Sequence, residues 1–159
     1  MDKDNFYMNL AIEQAEQASA LGEVPIGAVL VFNDKVIAKA HNQVEMRQDA
    51  TAHAEVLCLQ MANKILGNWR LHGATLYCTL EPCAMCAGAM FLSRIDTLVF
   101  GAPDYRHGAH GSWCNLFATA HPTHSIEVRQ GILAPACGAL LKTFFKNKRI
   151  NSAKDLQGS

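Results

Sequence analysis

Residues 27–32 (GAVLVF) form a continuous apolar run, and this run constrains the fold more than any other feature of the sequence. A strand with apolar side chains on both of its faces needs other elements to cover its sheet from both sides. Asn33, Asp34 and Lys35 follow, and they predict a hairpin turn into a second strand over residues 36–40. The run therefore predicts a sheet that is buried on both faces.

The rest of the chain alternates between helical and strand patterns. Apolar residues at helical spacing predict helices over residues 4–21, 53–64, 82–93 and 135–148. Short apolar or β-forming runs predict strands over residues 74–79 and 97–100, with an edge strand over residues 126–128. Strands separated by helices need crossover connections. The order predicts an α/β fold, a three-layer α/β/α domain with a mixed sheet of about five strands.

Two local features refine this prediction. Pro82 is expected in the first turn of its helix, where its missing N–H group has no partner to lose. Residues 43–52 are polar and predict a loop between the second strand and the second helix.

Length and composition predict one folded domain. The chain has 159 residues and no repeat or Pro/Ser-rich linker, so we expect residues 1–159 to form one domain. Its core is expected over about residues 4–149, followed by a short polar tail. Only 18% of the residues are charged and half are hydrophobic, which excludes a disordered chain. With no membrane-length apolar run and no leader pattern, we expect a cytoplasmic protein with no membrane partner.

The net charge of the chain does not indicate a binding partner. Fourteen basic and fourteen acidic residues cancel, so no overall field attracts a polyanion. A local basic cluster lies near the C-terminus and contains Lys142, Lys146, Lys148 and Arg149. Such a cluster is as typical of a solvated helix face as of a nucleic-acid contact.

The cysteines are more informative. Six cysteines in a chain without a secretion signal argue against a disulfide framework. Only Cys83 and Cys86 have the close spacing of a metal-binding or redox pair. The others are expected to be small buried residues: Cys58, Cys78, Cys114 and Cys137.

Two short motifs stand out, residues 51–55 (TAHAE) and residues 81–86 (EPCAMC), and each is predicted to open a helix. Cys83 and Cys86 are three residues apart, so they fall on one face of the helix. Unpaired N–H groups at the start of a helix favour thiolates, which are the form that a metal needs.

His53 adds an imidazole to the two thiolates, and this donor set favours Zn²⁺ over Mg²⁺ or Ca²⁺. Three protein ligands leave the fourth tetrahedral position open for water, which zinc activates as a nucleophile near neutral pH. Glu55 lies two residues past His53 and can act first as general base and then as general acid.

Two other interpretations stay open on these motifs alone. The Cys-x-x-Cys pair could be a redox pair. The zinc site could be structural if a fourth ligand closed it, and the available histidines are His107, His110, His121 and His124.

The combination H-x-E…P-C-x-x-C is the known signature of zinc nucleobase deaminases. The flanking segments resemble the bacterial tRNA adenosine deaminases, members of the cytidine deaminase superfamily. These segments are residues 23–31 (EVPIGAVLV), 79–90 (TLEPCAMCAGAM), 93–95 (SRI), 99–102 (VFGA) and 131–134 (GILA). The resemblance runs over nearly the whole chain, although residues 49–51 (DAT) replace the Asp-Pro-Thr that the family often has.

The resemblance implies a cytidine-deaminase-like fold and conversion of the wobble adenosine of a tRNA anticodon to inosine. It implies that His53, Cys83 and Cys86 bind one zinc ion and that Glu55 is the catalytic proton shuttle. It further implies a homodimer and a tRNA anticodon stem-loop as partner. The residues expected to bind the substrate are Asn42, Val24, Pro25, Ile26, Ala54, Asp104 and Phe145.

One alternative shares the same metal chemistry. A deaminase of a free nucleobase or nucleoside, such as guanine, cytosine or cytidine, would carry the same H-x-E and P-C-x-x-C motifs. The motifs therefore do not separate the two substrate classes.

Overall fold

The computed structural model describes residues 2–158. The elements follow one another as α1 (Lys3–Ala20), β1 (Gly27–Phe32), β2 (Lys35–His41), α2 (Val44–Arg47), α3 (Ala54–Leu66), β3 (Thr75–Leu80), α4 (Ala84–Leu92), β4 (Thr97–Ala102), β5 (Glu127–Gln130) and α5 (Ala134–Gln157). None of the helices in these residues is both long and apolar enough to span a membrane.

The strands form one mixed sheet in the order β2-β1-β3-β4-β5. Strand β1 pairs antiparallel with β2 and β3, whereas β3, β4 and β5 are parallel. Asn33 and Asp34 join β1 to β2, and both have positive φ angles, as a two-residue hairpin turn requires. The hairpin and the edge position of β5 are confirmed.

Helices cover both faces of the sheet. Alternate residues of β1, β3 and β4 point to opposite sides, so the sheet has a core on each face. Helices α1 and α5 pack on one face, and helices α3 and α4 pack on the other. The three-layer α/β/α fold with a five-stranded mixed sheet is therefore confirmed.

The polar segment 43–52 is not wholly a loop, because it contains the short helix α2. The carboxylate of Glu23 accepts hydrogen bonds from the backbone N–H groups of Glu45 and Met46 at the start of α2. This partner lies 22 residues or more away in sequence, so the local pattern did not reveal the helix.

Two other predicted boundaries were wrong. Pro82 precedes helix α4 instead of lying in its first turn, because Cys83 is the N-cap residue. Helix α5 does not end near residue 148 but continues to Gln157, so the expected polar tail is helical. No glycine or proline interrupts the chain between Gly138 and Gly158, which leaves nothing to stop the helix earlier.

The cysteine prediction holds for three of the four residues outside the Cys-x-x-Cys pair. Cys58, Cys78 and Cys137 are buried, whereas Cys114 is only partly buried. Cys114 lies in the long connection between β4 and β5, away from the sheet that buries the others.

Candidate active site

The site forms where the first residues of two helices meet. His53 is the N-cap residue of α3, and Cys83 is the N-cap residue of α4. Neither side chain makes a capping hydrogen bond to its own helix. Only three residues separate the end of β3 from the start of α4, so the sheet fixes the position of the Cys-x-x-Cys motif.

The three predicted metal ligands lie together. Nδ1 of His53 is 3.6 Å from Sγ of Cys83 and 3.5 Å from Sγ of Cys86. The ligand atoms of all three residues lie within 4.8 Å of one another, so they could hold a metal ion. Within residues 2–158, no second histidine belongs to this group, so the structure gives no support to a closed structural site.

Charge in this cluster favours one thiolate. The hydrogen bond from the Cys86 thiol, with help from His53, lowers the pKa of Cys83 to about 4. The same hydrogen bond raises the pKa of Cys86, because its thiol is the donor. The interaction with Cys83 raises the pKa of His53. Binding of a metal cation to these three side chains would therefore release the protons that they share.

Glu55 lies against this cluster. It is 3% exposed, its carboxyl interacts with the side chain of Cys86, and its Oε1 has no hydrogen-bond partner among the described residues. Burial raises the pKa of this carboxyl. A buried carboxyl with one unpartnered oxygen and a raised pKa is typical of a functional proton carrier.

A cavity of about 740 Å³ lies next to the triad and is lined by His53. Its size is in the range of small-molecule and nucleoside sites. Five of the seven residues expected to bind the substrate line it: Val24, Ile26, Asn42, Asp104 and Phe145.

Pro25 and Ala54 do not line this cavity, and both are buried. Ala54 instead contributes its backbone N–H group, which donates a hydrogen bond of 2.9 Å to Oδ1 of Asn42. This bond uses the oxygen of the Asn42 amide as an acceptor and fixes its orientation. The amide nitrogen can then donate a hydrogen bond to another group.

Sequence reasoning missed two buried glutamates near the cavity. Glu23 is 1% exposed and Glu81 is 3% exposed, and both accept hydrogen bonds from backbone N–H groups of segments that line the cavity. A lone glutamate in sequence is usually a surface residue, so the available signal was their position inside otherwise apolar segments.

Comparisons with known proteins agree with this geometry. A protein-family model described as MafB19-like deaminase matches residues 1–149. The tRNA-specific adenosine deaminase of Bacillus subtilis (strain 168) is 51% identical over 149 residues, covering 94% of this chain and 92% of that protein. This chain belongs to the tRNA-specific adenosine deaminase family. Another such deaminase, from Haemophilus influenzae, is 47% identical over 147 residues, covering 92% of this chain and 85% of that protein.

Solved structures place the family in a wider group of deaminases. A structure from studies of A-to-I editing by tRNA:A34 deaminases has a TM-score of 0.82 and 42% identity, covering 86% of this chain and 99% of that chain. A guanine deaminase from Nitrosomonas europaea has a TM-score of 0.78 and 25% identity, covering 91% of this chain and 85% of that chain. The tRNA deaminase family thus shares its fold with an enzyme of a free base.

Proposed function

We propose that this chain hydrolyses the wobble adenosine of a tRNA anticodon to inosine, with Zn²⁺ on His53, Cys83 and Cys86. The observation that carries the proposal is the His/Cys/Cys cluster beside the buried Glu55 carboxyl, one oxygen of which has no hydrogen-bond partner within residues 2–158. Membership of the tRNA-specific adenosine deaminase family gives the substrate class.

The donor set and its spacing support zinc. Zn–S distances of about 2.3 Å and Zn–N distances of about 2.0 Å at a tetrahedral angle place S and N about 3.5 Å apart. The two S···N distances in this cluster are 3.6 and 3.5 Å. Three protein ligands would leave a coordination position open for a water, as in catalytic zinc sites.

Zinc, when bound, would supply an activated water at its open position. Glu55 would take a proton from that water and give it to N1 of the adenine as the water oxygen bonds to C6. Glu55 would then take the remaining proton from the oxygen on C6 and deliver it to the amino group on C6. The C6–N bond breaks, ammonia leaves, and the oxygen stays on C6 as the inosine carbonyl.

Burial of Glu55 supports this role. A carboxyl with a raised pKa holds a proton closer to neutral pH, so it can both accept and return it. Its unpartnered oxygen has no competing hydrogen bond among the described residues to break first.

The cavity supports a flipped base. Val24 and Ile26 would offer apolar contacts to the ring, and the free amide nitrogen of Asn42 would donate a hydrogen bond. Asp104 and Phe145 also line the cavity, where they would contact nucleotides of the anticodon loop. An unpaired loop nucleotide leaves its stack at low free-energy cost.

The second candidate is a deaminase of a free base. Its support is the likeness to the guanine deaminase from Nitrosomonas europaea. A panel of an anticodon stem-loop with wobble adenosine, free adenine, free guanine, free cytosine and cytidine separates the candidates. We expect ammonia release from the stem-loop only. Turnover of a free base with no turnover of the stem-loop would support the second candidate and refute the first.

We also propose a homodimer, which the tRNA deaminase resemblance implies, and a cytoplasmic location. In and after α4, several large apolar side chains are more than a third exposed, which is typical of surfaces that a partner covers. These are Met85, Leu92, Trp113 and Leu116. Light scattering coupled to size-exclusion chromatography tests this, with a dimer mass expected and a monomer mass contradicting it.

A further inference from the structure

Glu81 carries a buried carboxylate that belongs neither to the proposed metal ligands nor to the cavity lining. It is 3% exposed and lies directly after strand β3. Both of its oxygens accept hydrogen bonds from a single segment, residues 104–112, which we call the cradle loop. A buried carboxylate without such partners would be strongly unfavourable.

The hydrogen bonds reach both ends of the cradle loop. Oε1 accepts from the N–H group of Asp104 at 3.1 Å and from the hydroxyl of Ser112. Oε2 accepts from the N–H group of His110 at 2.8 Å and from that of Ser112 at 3.4 Å. One side chain therefore fixes the first and last residues of the loop at once.

Gly108, in the middle of the loop, shows how closely the loop surrounds the carboxylate. A Cβ atom at Gly108 would lie 2.2 Å from Cδ of Glu81, closer than real carbon atoms approach. Gly108 also pairs with Cys83 as an isolated β-bridge, and the N–H group of Ala109 donates to the carbonyl of Pro82 at 2.8 Å. The loop is thus tied to the segment that carries the Cys-x-x-Cys motif.

The same loop provides one wall of the cavity. Its first part, residues 104–107, lines the cavity, and the N–H group of Asp104 at its start donates a hydrogen bond to Glu81. Within the wall, a carboxylate oxygen of Asp104 accepts from the N–H groups of Arg106 and His107. The conformation of the wall therefore depends on the anchor at Asp104.

We propose that Glu81 is a positioning residue that holds the cradle loop so that residues 104–107 keep the shape that receives the RNA substrate. The substrate part of this inference rests on the proposed function. When the anchor is lost, the loop samples other conformations, and the apparent affinity falls by the fraction of molecules that keep the competent one.

Hydrogen exchange tests the anchor without any substrate. In Glu81→Gln, one acceptor oxygen is replaced by an NH2 group, which cannot accept the hydrogen bonds from the backbone of the cradle loop. Backbone amide exchange in peptides covering residues 104–112 should therefore become at least about tenfold faster. The matched control is Glu23→Gln, which should speed exchange around Glu45 and Met46 and leave the cradle loop unchanged. Unchanged exchange of residues 104–112 in Glu81→Gln would overturn the proposal.

Kinetics on the anticodon stem-loop tests what the anchor does. We expect KM to rise about tenfold in Glu81→Gln with kcat changed less than about threefold, because the metal cluster keeps its ligands. Zinc content should equal that of the wild type. A loss confined to kcat, or a loss of zinc with unchanged KM, would refute the positioning role. Ser112→Ala removes one hydrogen bond to Glu81 and serves as the milder variant if Glu81→Gln does not fold.

A double-mutant cycle closes the test. Gly108→Ala alone should raise exchange in the cradle loop and KM, because the added methyl group meets the carboxylate. Combined with Glu81→Ala, it should add little, since the carboxylate is gone. Additive effects would contradict the proposed contact.

If the wild type deaminates no stem-loop at all, the proposed function fails, whereas the exchange results still decide whether Glu81 holds the loop.

Discussion

The residues of this site have separate roles, metal binding and proton transfer, and each role follows from the surroundings of the side chain. His53 and Cys83 occupy helix N-caps without capping their helices, which leaves their ligand atoms free for a metal. Glu55 lies beside the cluster, and one of its oxygens has no hydrogen-bond partner in the described part of the chain, so it is free to carry a proton. Replacing Glu55 should therefore remove proton transfer and leave metal binding intact.

Replacing Glu55 by glutamine should separate proton transfer from metal binding. Glutamine keeps the shape but cannot carry the proton, so activity on the stem-loop should fall by about two to four orders of magnitude. Zinc content should stay at that of the wild type. Glu13→Gln, an exposed change on α1, is the control with full activity. Near-normal activity of Glu55→Gln with zinc bound would contradict the mechanism.

Replacing Cys86 by serine should remove the metal. A hydroxyl is a far poorer zinc ligand than a thiolate, so zinc measured by elemental analysis should fall from about one per chain to a small fraction. Cys114→Ser, a partly buried cysteine outside the cluster, is the matched control and should keep its zinc. A wild-type protein without zinc, with a reversible Cys83–Cys86 disulfide, would instead support the redox interpretation.

The cluster was predictable at this scale and the glutamates around it were not. His53, Glu55, Cys83 and Cys86 follow from local motifs, because their spacing is fixed by the helices they open. Glu23 and Glu81 are buried only because distant segments, α2 and the cradle loop, fold over them. Because this burial depends on residues far along the chain, the apolar neighbours of the two glutamates in the sequence are only a weak signal of it.

At the scale of elements, the outer parts of the fold are linked by a polar network. Asp4 on α1 accepts two hydrogen bonds from Arg129 on β5, at 2.7 and 3.0 Å, and a third from the hydroxyl of Tyr77 on β3. This network ties the first helix to the edge strand across the sheet. It is the place where acid should weaken the packing of elements.

The pH dependence of stability tests this network. The hydrogen bonds from Arg129 hold the pKa of Asp4 below its usual value. A lowered carboxyl pKa stabilises the fold above the unfolded-state pKa, and that stabilisation is lost as pH falls through the folded-state pKa. Asp4→Asn should lower the free energy of unfolding at neutral pH by about 1–2 kcal/mol.

Urea denaturation at neutral pH and near pH 3 measures this effect. The difference between the wild type and Asp4→Asn should shrink at the lower pH, because acid protonates Asp4 in the wild type. Asp2→Asn is an unsuitable control since it caps α1, so Asp155→Asn on the exposed end of α5 is used. A difference that stays constant with pH would contradict the role of the Asp4 charge.

Elements with a local signal were predicted well. Strand β1 has its predicted bounds because its apolar run ends at a turn with polar residues. Helix α2 was missed because Glu23, distant in sequence, stabilises its start. The end of α5 was misplaced because a polar sequence gives the same pattern for an exposed helix and for a tail.

Over the whole molecule, one cavity joins the sheet layer to the long C-terminal helix. His53 lines it from α3, and Phe145 and Arg149 line it from α5. Net charge is zero, yet this arrangement places a basic residue beside the proposed base pocket. Neutral overall charge and a local contact to RNA are therefore compatible.

Arg149→Ala should weaken RNA binding without changing the chemistry. Loss of one phosphate contact should raise KM for the stem-loop and reduce the slope of log affinity against log salt by about one. Lys154→Ala is the matched control, because Lys154 lies on the same helix and does not line the cavity. Equal effects of the two changes would show that Arg149 acts only as part of a diffuse charge.

Transfer of an oxygen atom from water to the wobble base tests the proposed deamination directly. The zinc-loaded protein is incubated in heavy-oxygen water with an anticodon stem-loop that has a single wobble adenosine, and the nucleosides are analysed by mass spectrometry. We expect inosine at the wobble position that carries one heavy oxygen, with ammonia in equal amount and neither product from Glu55→Gln. Unchanged adenosine after incubation with the zinc-loaded wild type, or equal inosine from Glu55→Gln, would contradict this expectation.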